Sequence, residues 1–286
     1  MKKSVQMATM IFVGAILLSG ARISAQGTQQ SAPTLNPEKK QDKPQEVTPL
    51  TLDNAPPPVN AEEDAAIKAF RAVPITDMAK KDQLGEEFLQ KYPQSRYRPE
   101  VYSLLVRGYL SLGQIDKMEA VGDKEIELNP GDAQTLAIVG STLPRVMNAG
   151  TPDPEKRLDK AEQYSKRALE VLPTLVKPTE LSDADFLKAK DQTSALAYSG
   201  LGLVAFRRSK FAEAIPNFEQ AVKLDPVPDP VNFYLLGLAN EKTSHFEDAA
   251  NAFTKCAAVP GGLQATCKSG ADEAKKMATT QLSAPK

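Results

Sequence analysis

The chain has 286 residues, 41% hydrophobic and 25% charged, with 35 basic residues against 36 acidic ones and one histidine. This near-neutral balance gives no electrostatic reason to expect a nucleic-acid partner. The single histidine leaves one candidate for any histidine-dependent triad.

Lys2 and Lys3 precede an apolar run over residues 7–18, followed by Gly20 and the small residues Ser24 and Ala25. The charge, the length of the run and the small-residue exit read as a cleavable secretory signal peptide over residues 1–25. The run is shorter than the ~20 residues a membrane span needs, so cleavage is favoured over retention as an anchor. No cysteine follows it, which excludes lipoprotein processing. The expectation is a periplasmic or secreted protein with no membrane span after cleavage. Residues 26–60 shift to Gln, Pro, Thr, Ser and Lys, with Pro56-Pro57-Pro58 as the clearest marker. Such a stretch buries too little apolar surface to offset its ordering entropy, and it is expected to be a disordered tether. A plain spacer is favoured over a polyproline ligand for an aromatic groove.

From Ala61 onward the pattern is helical. Residues 61–72 and 78–92 form one pair, closing on Tyr92-Pro93, so that the unit spans about 61–93. In a second pair, about 99–130, Tyr102, Leu105, Tyr109 and Gly113 fit a first helix and its turn, and 117–128 the second helix. A third, stretched pair covers about 132–173. It has Gly140 at a close-approach position in a helix over 135–147, a turn-rich insertion over 148–154, and Ala161, Tyr164 and Ala168 on a helix over 155–172. After a further insertion, Ser182 opens Ser-x-x-Asp, a capping-box-like start to a long helix over 183–208.

One set of residues then occurs twice, 35 positions apart. The first copy, about 195–228, has Tyr198, Leu201-Gly202, Leu203, Phe211, Ala214, Phe218 and Ala221, closing on Asp225-Pro226. The second, about 230–262, has Phe233, Leu236-Gly237, Leu238, Phe246, Ala249, Phe253 and Cys256, closing on Val259-Pro260. Glycine inside a helix costs roughly 1 kcal/mol, a cost accepted where a neighbouring helix leaves no room for a side chain. Pro216 is expected in the first turn of its helix, where the missing donor matters little. Aromatic-x2-Leu-Gly, then Ala-x3-Phe, then Pro is a helix–turn–helix unit of about 34 residues that resembles the tetratricopeptide repeat (TPR) family. The upstream copies depart from that pattern: Val106 stands at the glycine position, and Met118 and Gly122 at those of Ala and Phe. The ending Phe88-Leu89-x-x-Tyr92-Pro93-x-Ser95 is similar to repeats in bacterial envelope TPR proteins.

The resemblance implies an all-α, right-handed superhelical solenoid of hairpins with a concave inner wall. Its partner is then a protein or peptide. The family's groove positions fall on Leu196, Ser199, Leu203, Phe206 and Arg207, then on Val231, Tyr234, Leu238, Glu241 and Lys242. Leu203 and Leu238 read equally well as packing between repeats, and Phe206, Arg207 and Tyr234 as the better partner contacts. The basic-plus-asparagine clamp that some family members use on a C-terminal carboxylate is not reproduced there.

Cys256 and Cys267 are the only cysteines. Along one continuous helix, eleven residues would separate them by ~16 Å, too far for a bond. Pro260-Gly261-Gly262 breaks the helix, however, and an oxidising compartment favours pairing. A disulfide is therefore expected, with Cys267 on a capping helix over 263–277; a reduced Cys256 serving as a small core residue is the alternative.

His245 lies in a turn without partners of ligand spacing, and no phosphate-binding glycine loop or nucleophile elbow occurs. Glu62-Glu63 and Glu86-Glu87 read as solvated helix faces. No enzyme, cofactor or metal is expected. The reading is an exported non-catalytic scaffold or adaptor, with a structural subunit of a cell-envelope assembly complex as the alternative.

Overall fold

A computed structural model describes residues 60–283; the expected signal peptide and all but the last residue of the expected tether lie outside them. The chain forms two units, Met1–Ala66 and Ile67–Lys286. Of the first, only the opening of α1 (Ala61–Ala72) is described. The described residues otherwise belong to the second unit, and they form helices and turns without a strand. The helices are α2 (Met78–Lys91), α3 (Arg98–Ser111), α4 (Ile115–Leu128), α5 (Ala133–Val146), α6 (Pro154–Val171), α7 (Asp183–Arg207), α8 (Phe211–Leu224), α9 (Pro230–Lys242), α10 (Phe246–Ala257) and α11 (Gln264–Ser283).

Within the second unit each helix from α2 on packs against the next, and the first helices of successive hairpins also touch, α3 on α5, α5 on α7 and α7 on α9. α11 takes the next place in that row, against α9 and α10. This nearest-neighbour order is that of a solenoid, in which stability comes from each hairpin and its contact with the next.

The turn geometry shows that a degenerate copy and the two clean ones are the same unit. α3–α4, α7–α8 and α9–α10 are each joined by three residues, and the middle one is left-handed in every case: Gly113 (φ 69°), Ser209 (φ 59°) and Ser244 (φ 62°). The next N–H reaches back to the helix it has just left. Gln114 N donates to Tyr109 O at 2.8 Å, Lys210 N to Ala205 O at 2.9 Å and His245 N to Asn240 O at 2.8 Å. This is the Schellman closure, which satisfies carbonyls that a helix end otherwise leaves orphaned.

Packing inside the hairpins follows the spacing of small and large residues. A Cβ on Gly202 would lie 2.7 Å from ring carbons of Phe218, and one on Gly237 2.6 Å from those of Phe253. Sixteen residues separate each pair, and sixteen also separate Val106 from Gly122, where the sizes are exchanged. Val106 is fully buried, and the space above Gly122 is taken by Val139 of the next hairpin, whose Cγ2 lies 2.7 Å from where a Cβ would be. The missing glycine at 106 is thus compensated across the hairpin, a repacking of the kind cores tolerate when volume and pattern are kept.

In the stretched hairpin, residues 135–144 of α5 are all buried. Gly140 and Gly200 let α5 and α7 meet almost backbone to backbone: a Cβ on Gly200 would stand 2.9 Å from Gly140 O. α7 has 25 residues, and Ser182 caps it as the sequence indicates, its hydroxyl accepting from Asp185 N at 3.1 Å.

Two expectations need correction. α8 begins at Phe211, directly after the tight turn, so Pro216 lies inside the helix rather than in its first turn. Pro216 itself is exposed, and the freed Ala212 carbonyl belongs to an exposed residue. The capping helix runs to Ser283 rather than ending near residue 277, because Ala271, Ala274 and Ala278 continue one buried stripe. Cys256 and Cys267 are disulfide-bonded, with Cα atoms 5.7 Å apart, and the bond ties α11 to α10.

Candidate partner-binding wall

The first helices α3, α5, α7 and α9 form a continuous row, and the positions nominated from sequence lie on α7 and α9. The structure divides those positions into two groups.

The first group is engaged within the chain. Ser199 is 1% exposed, and its hydroxyl donates to Asn232 Oδ1 of α9 at 2.7 Å. Arg145, at the end of α5, reaches the same hydroxyl at 3.4 Å and pairs with Asp229. Asp229 also caps α9, accepting from Val231 N at 2.9 Å. A polar ladder thus runs across three hairpins. Arg207 spends its guanidinium on the end of α5, donating to Pro144 O at 3.0 Å and to Met147 O at 2.9 Å. Those carbonyls lack a helical partner, which is where a cationic donor is favourable. Phe206 meets Phe211 and Phe218 edge-on, with ring centroids 5.2 and 6.5 Å apart. Tyr234 leans on Phe253 at 5.9 Å. Leu203 is part of the buried cluster around Phe218, and Leu238 packs against the one around Phe253.

The second group lies at or near the surface. Leu196 is 39% exposed and Lys242 is exposed, while Val231 and Glu241 are half-buried. They place two apolar side chains near the start of α7's packed portion and of α9, and a charged pair at the end of α9. Such a mixture suits an extended segment that buries side chains at one end and pairs charges at the other.

Arg145 and Asp229 were missed by sequence reasoning. Asp229-Pro230 carries a capping signal, since Asp at the N-cap and Pro at the first helical position mark a helix start. Arg145 has no comparable signal, because its partner lies 84 residues away. Among the described residues, no group of three or more His, Cys, Asp or Glu is placed to hold a metal ion.

An array of helical hairpins, three of them closed by Schellman turns, with first helices aligned in a row, is a helical-repeat scaffold. Residues 195–226, the packed part of α7 with α8 and the turn after it, match the family described as tetratricopeptide repeat. Similar solved structures include MamA from Desulfovibrio magneticus RS-1, at 17% identity over 69% of this chain and 94% of that one, with a TM-score of 0.47. TTC0263, a thermophilic TPR protein in Thermus thermophilus, is 17% identical over 74% of this chain and 95% of its own, with a TM-score of 0.45. Yeast Tom70 is 14% identical over 77% of this chain and 39% of its own, with a TM-score of 0.46. Comparison with curated protein sequences gives no match.

Proposed function

We propose that this chain is an exported, non-catalytic scaffold that holds a protein or peptide segment against its row of first helices. The observation that carries this is the second group on the wall. Leu196 and Lys242 are exposed and Val231 and Glu241 half-buried, on a row where Ser199 and Leu203 are buried and Arg207 is hydrogen-bonded to the end of α5. The leader-like residues 1–25 support export, and among the described residues no helix is long and apolar enough to cross a membrane.

The test is a capture assay from native envelope extract with Leu196→Asp and Lys242→Glu combined. Both side chains are exposed, so thermal unfolding should move little. Capture should fall steeply, and undiminished capture by a folded double variant refutes the wall. If the chain is instead a structural subunit of an envelope assembly complex, it will elute from native extract in a stable stoichiometric complex that survives the same substitutions.

A further inference from the structure

Glu125 lies on the face of α4 that presents Gly122 to α3 and α5, one turn further along. It stands where the clean hairpins have Ala221 and Cys256, and it is 1% exposed. Oε1 accepts from Asn129 Nδ2 at 3.2 Å, whereas Oε2 is buried with no partner. Among the described residues no cation compensates it. The charged group that bears on it from α5 is Asp132, of the same sign, and that carboxylate is occupied by the N-terminal amides of α5. A carboxylate buried this way, with a single donor, is stable only in its protonated form.

The placement in the array gives this group its consequence. From α2 onward, α4–α5 is the lightest joint between consecutive helices. In a solenoid, one weakened joint divides the stack into blocks that open separately. The described buried side-chain atoms that lack a partner, on Asp82, Tyr92, Glu125 and Ser165, all lie upstream of α7.

We propose that Glu125 makes the α4–α5 joint a pH-sensitive hinge: ionising its carboxyl unseats α2–α4 as a block while α7–α11 stay packed. Burial, with Asp132 adding to it, lifts the Glu125 carboxyl from 4.5 to about 8, against the pull of the Asn129 hydrogen bond. The folded joint therefore holds a proton that the opened joint releases. Its stabilisation is complete below the unfolded value and is lost as pH rises toward about 8. A second link between the same hairpins is ionic. Arg157 and Lys160 of α6 grip Glu119 at 2.6 and 2.9 Å, and Lys160 grips Asp123 at 2.6 Å. Those contacts hold the Glu119 carboxyl below its ordinary value and the two cations above theirs. At the neighbouring joint, burial, with Glu86 of the same helix adding to it and Lys117 of α4 opposing it, raises the Asp82 carboxyl to about 6, so its contribution is lost by about pH 6 and the decline from there to about pH 8 belongs to Glu125.

Hydrogen exchange of the full-length protein, read by mass spectrometry from mildly acidic to mildly alkaline pH, tests the hinge. Amides of α8–α10 in the same molecule serve as the internal reference for intrinsic rates. Relative protection of α3 and α4 should fall by about tenfold per pH unit up to roughly pH 8, then level off. Glu125→Gln, which keeps the shape, and Glu125→Ala, the residue of the first clean hairpin, should both abolish the slope. Equal behaviour of the two halves in the wild-type protein overturns the hinge, as does a slope that persists in both variants.

Discussion

Replacing Gly237 by alanine tests the packing logic at a single atom. At an unconstrained helical position the change is worth about 1 kcal/mol in favour of alanine. Here the new Cβ would lie 2.6 Å from Cδ1 and Cε1 of Phe253, roughly an ångström inside ordinary carbon–carbon contact of about 3.5–4.0 Å. Phe253 is 1% exposed and wedged among Ala249, Ala250, Ala271 and Ala274, so its ring has nowhere to retreat without parting α10 from α11. Overpacking of this kind costs about 1–3 kcal/mol and outweighs the propensity gain. The variant should be destabilised by about 1 kcal/mol, a fall of roughly 2–4 °C in Tm for an array of this size. Phe253→Leu should be destabilising alone but should turn Gly237→Ala neutral or favourable, giving a coupling of about 1 kcal/mol or more in a double-mutant cycle. The assay is thermal unfolding followed by far-UV circular dichroism. If Gly237→Ala alone raises Tm, the close-approach argument is wrong.

Ser209 and Ser244 hold left-handed turns where Gly113 stands in the upstream copy, so Ser209→Gly and Ser244→Gly should each raise stability by about 0.5–1 kcal/mol. Gly113→Ser should lower it by a similar amount, and urea titration reads all three. Replacing both cysteines by alanine removes a cross-link closing an 11-residue separation and should cost about 3 kcal/mol, with α11 the first helix to lose exchange protection. At the α2–α3 joint the Asp82 carboxyl is raised by burial from 3.8 to about 6, so its contribution is complete below the unfolded value and is lost as pH rises toward 6. Asp82→Asn should flatten the wild-type decline in Tm over that window; an identical decline in the variant would assign it elsewhere.

What could be read from the sequence was the part fixed by local chemistry. The aromatic-x2-Leu-Gly pattern located α7–α10 because the Gly–Phe approach repeats inside each hairpin at one spacing. Ser182 and the Pro260-Gly261-Gly262 break marked the start of α7 and the turn that brings Cys267 back to Cys256. What escaped depends on distant partners. Val106 and Gly122 look like departures from the pattern until they are seen as one exchanged pair completed by Val139 of the next hairpin. Ser199 and Arg207 occupy groove positions by register, yet their polar groups are spent on Asn232 and on the end of α5, 33 and 60 or more residues away. No local signal separates a residue that faces a partner from one that faces the neighbouring hairpin.

Site-specific photo-crosslinking in cells addresses the binding wall most directly. A photoreactive residue would replace Val231 or Lys242 on the first-helix row in one set of strains. In another it would replace Gln220 or Lys255, exposed on the second helices α8 and α10. The account predicts that a discrete crosslinked protein forms from Val231 and Lys242 positions and not from those of Gln220 and Lys255. Crosslinks confined to the second-helix positions would contradict it.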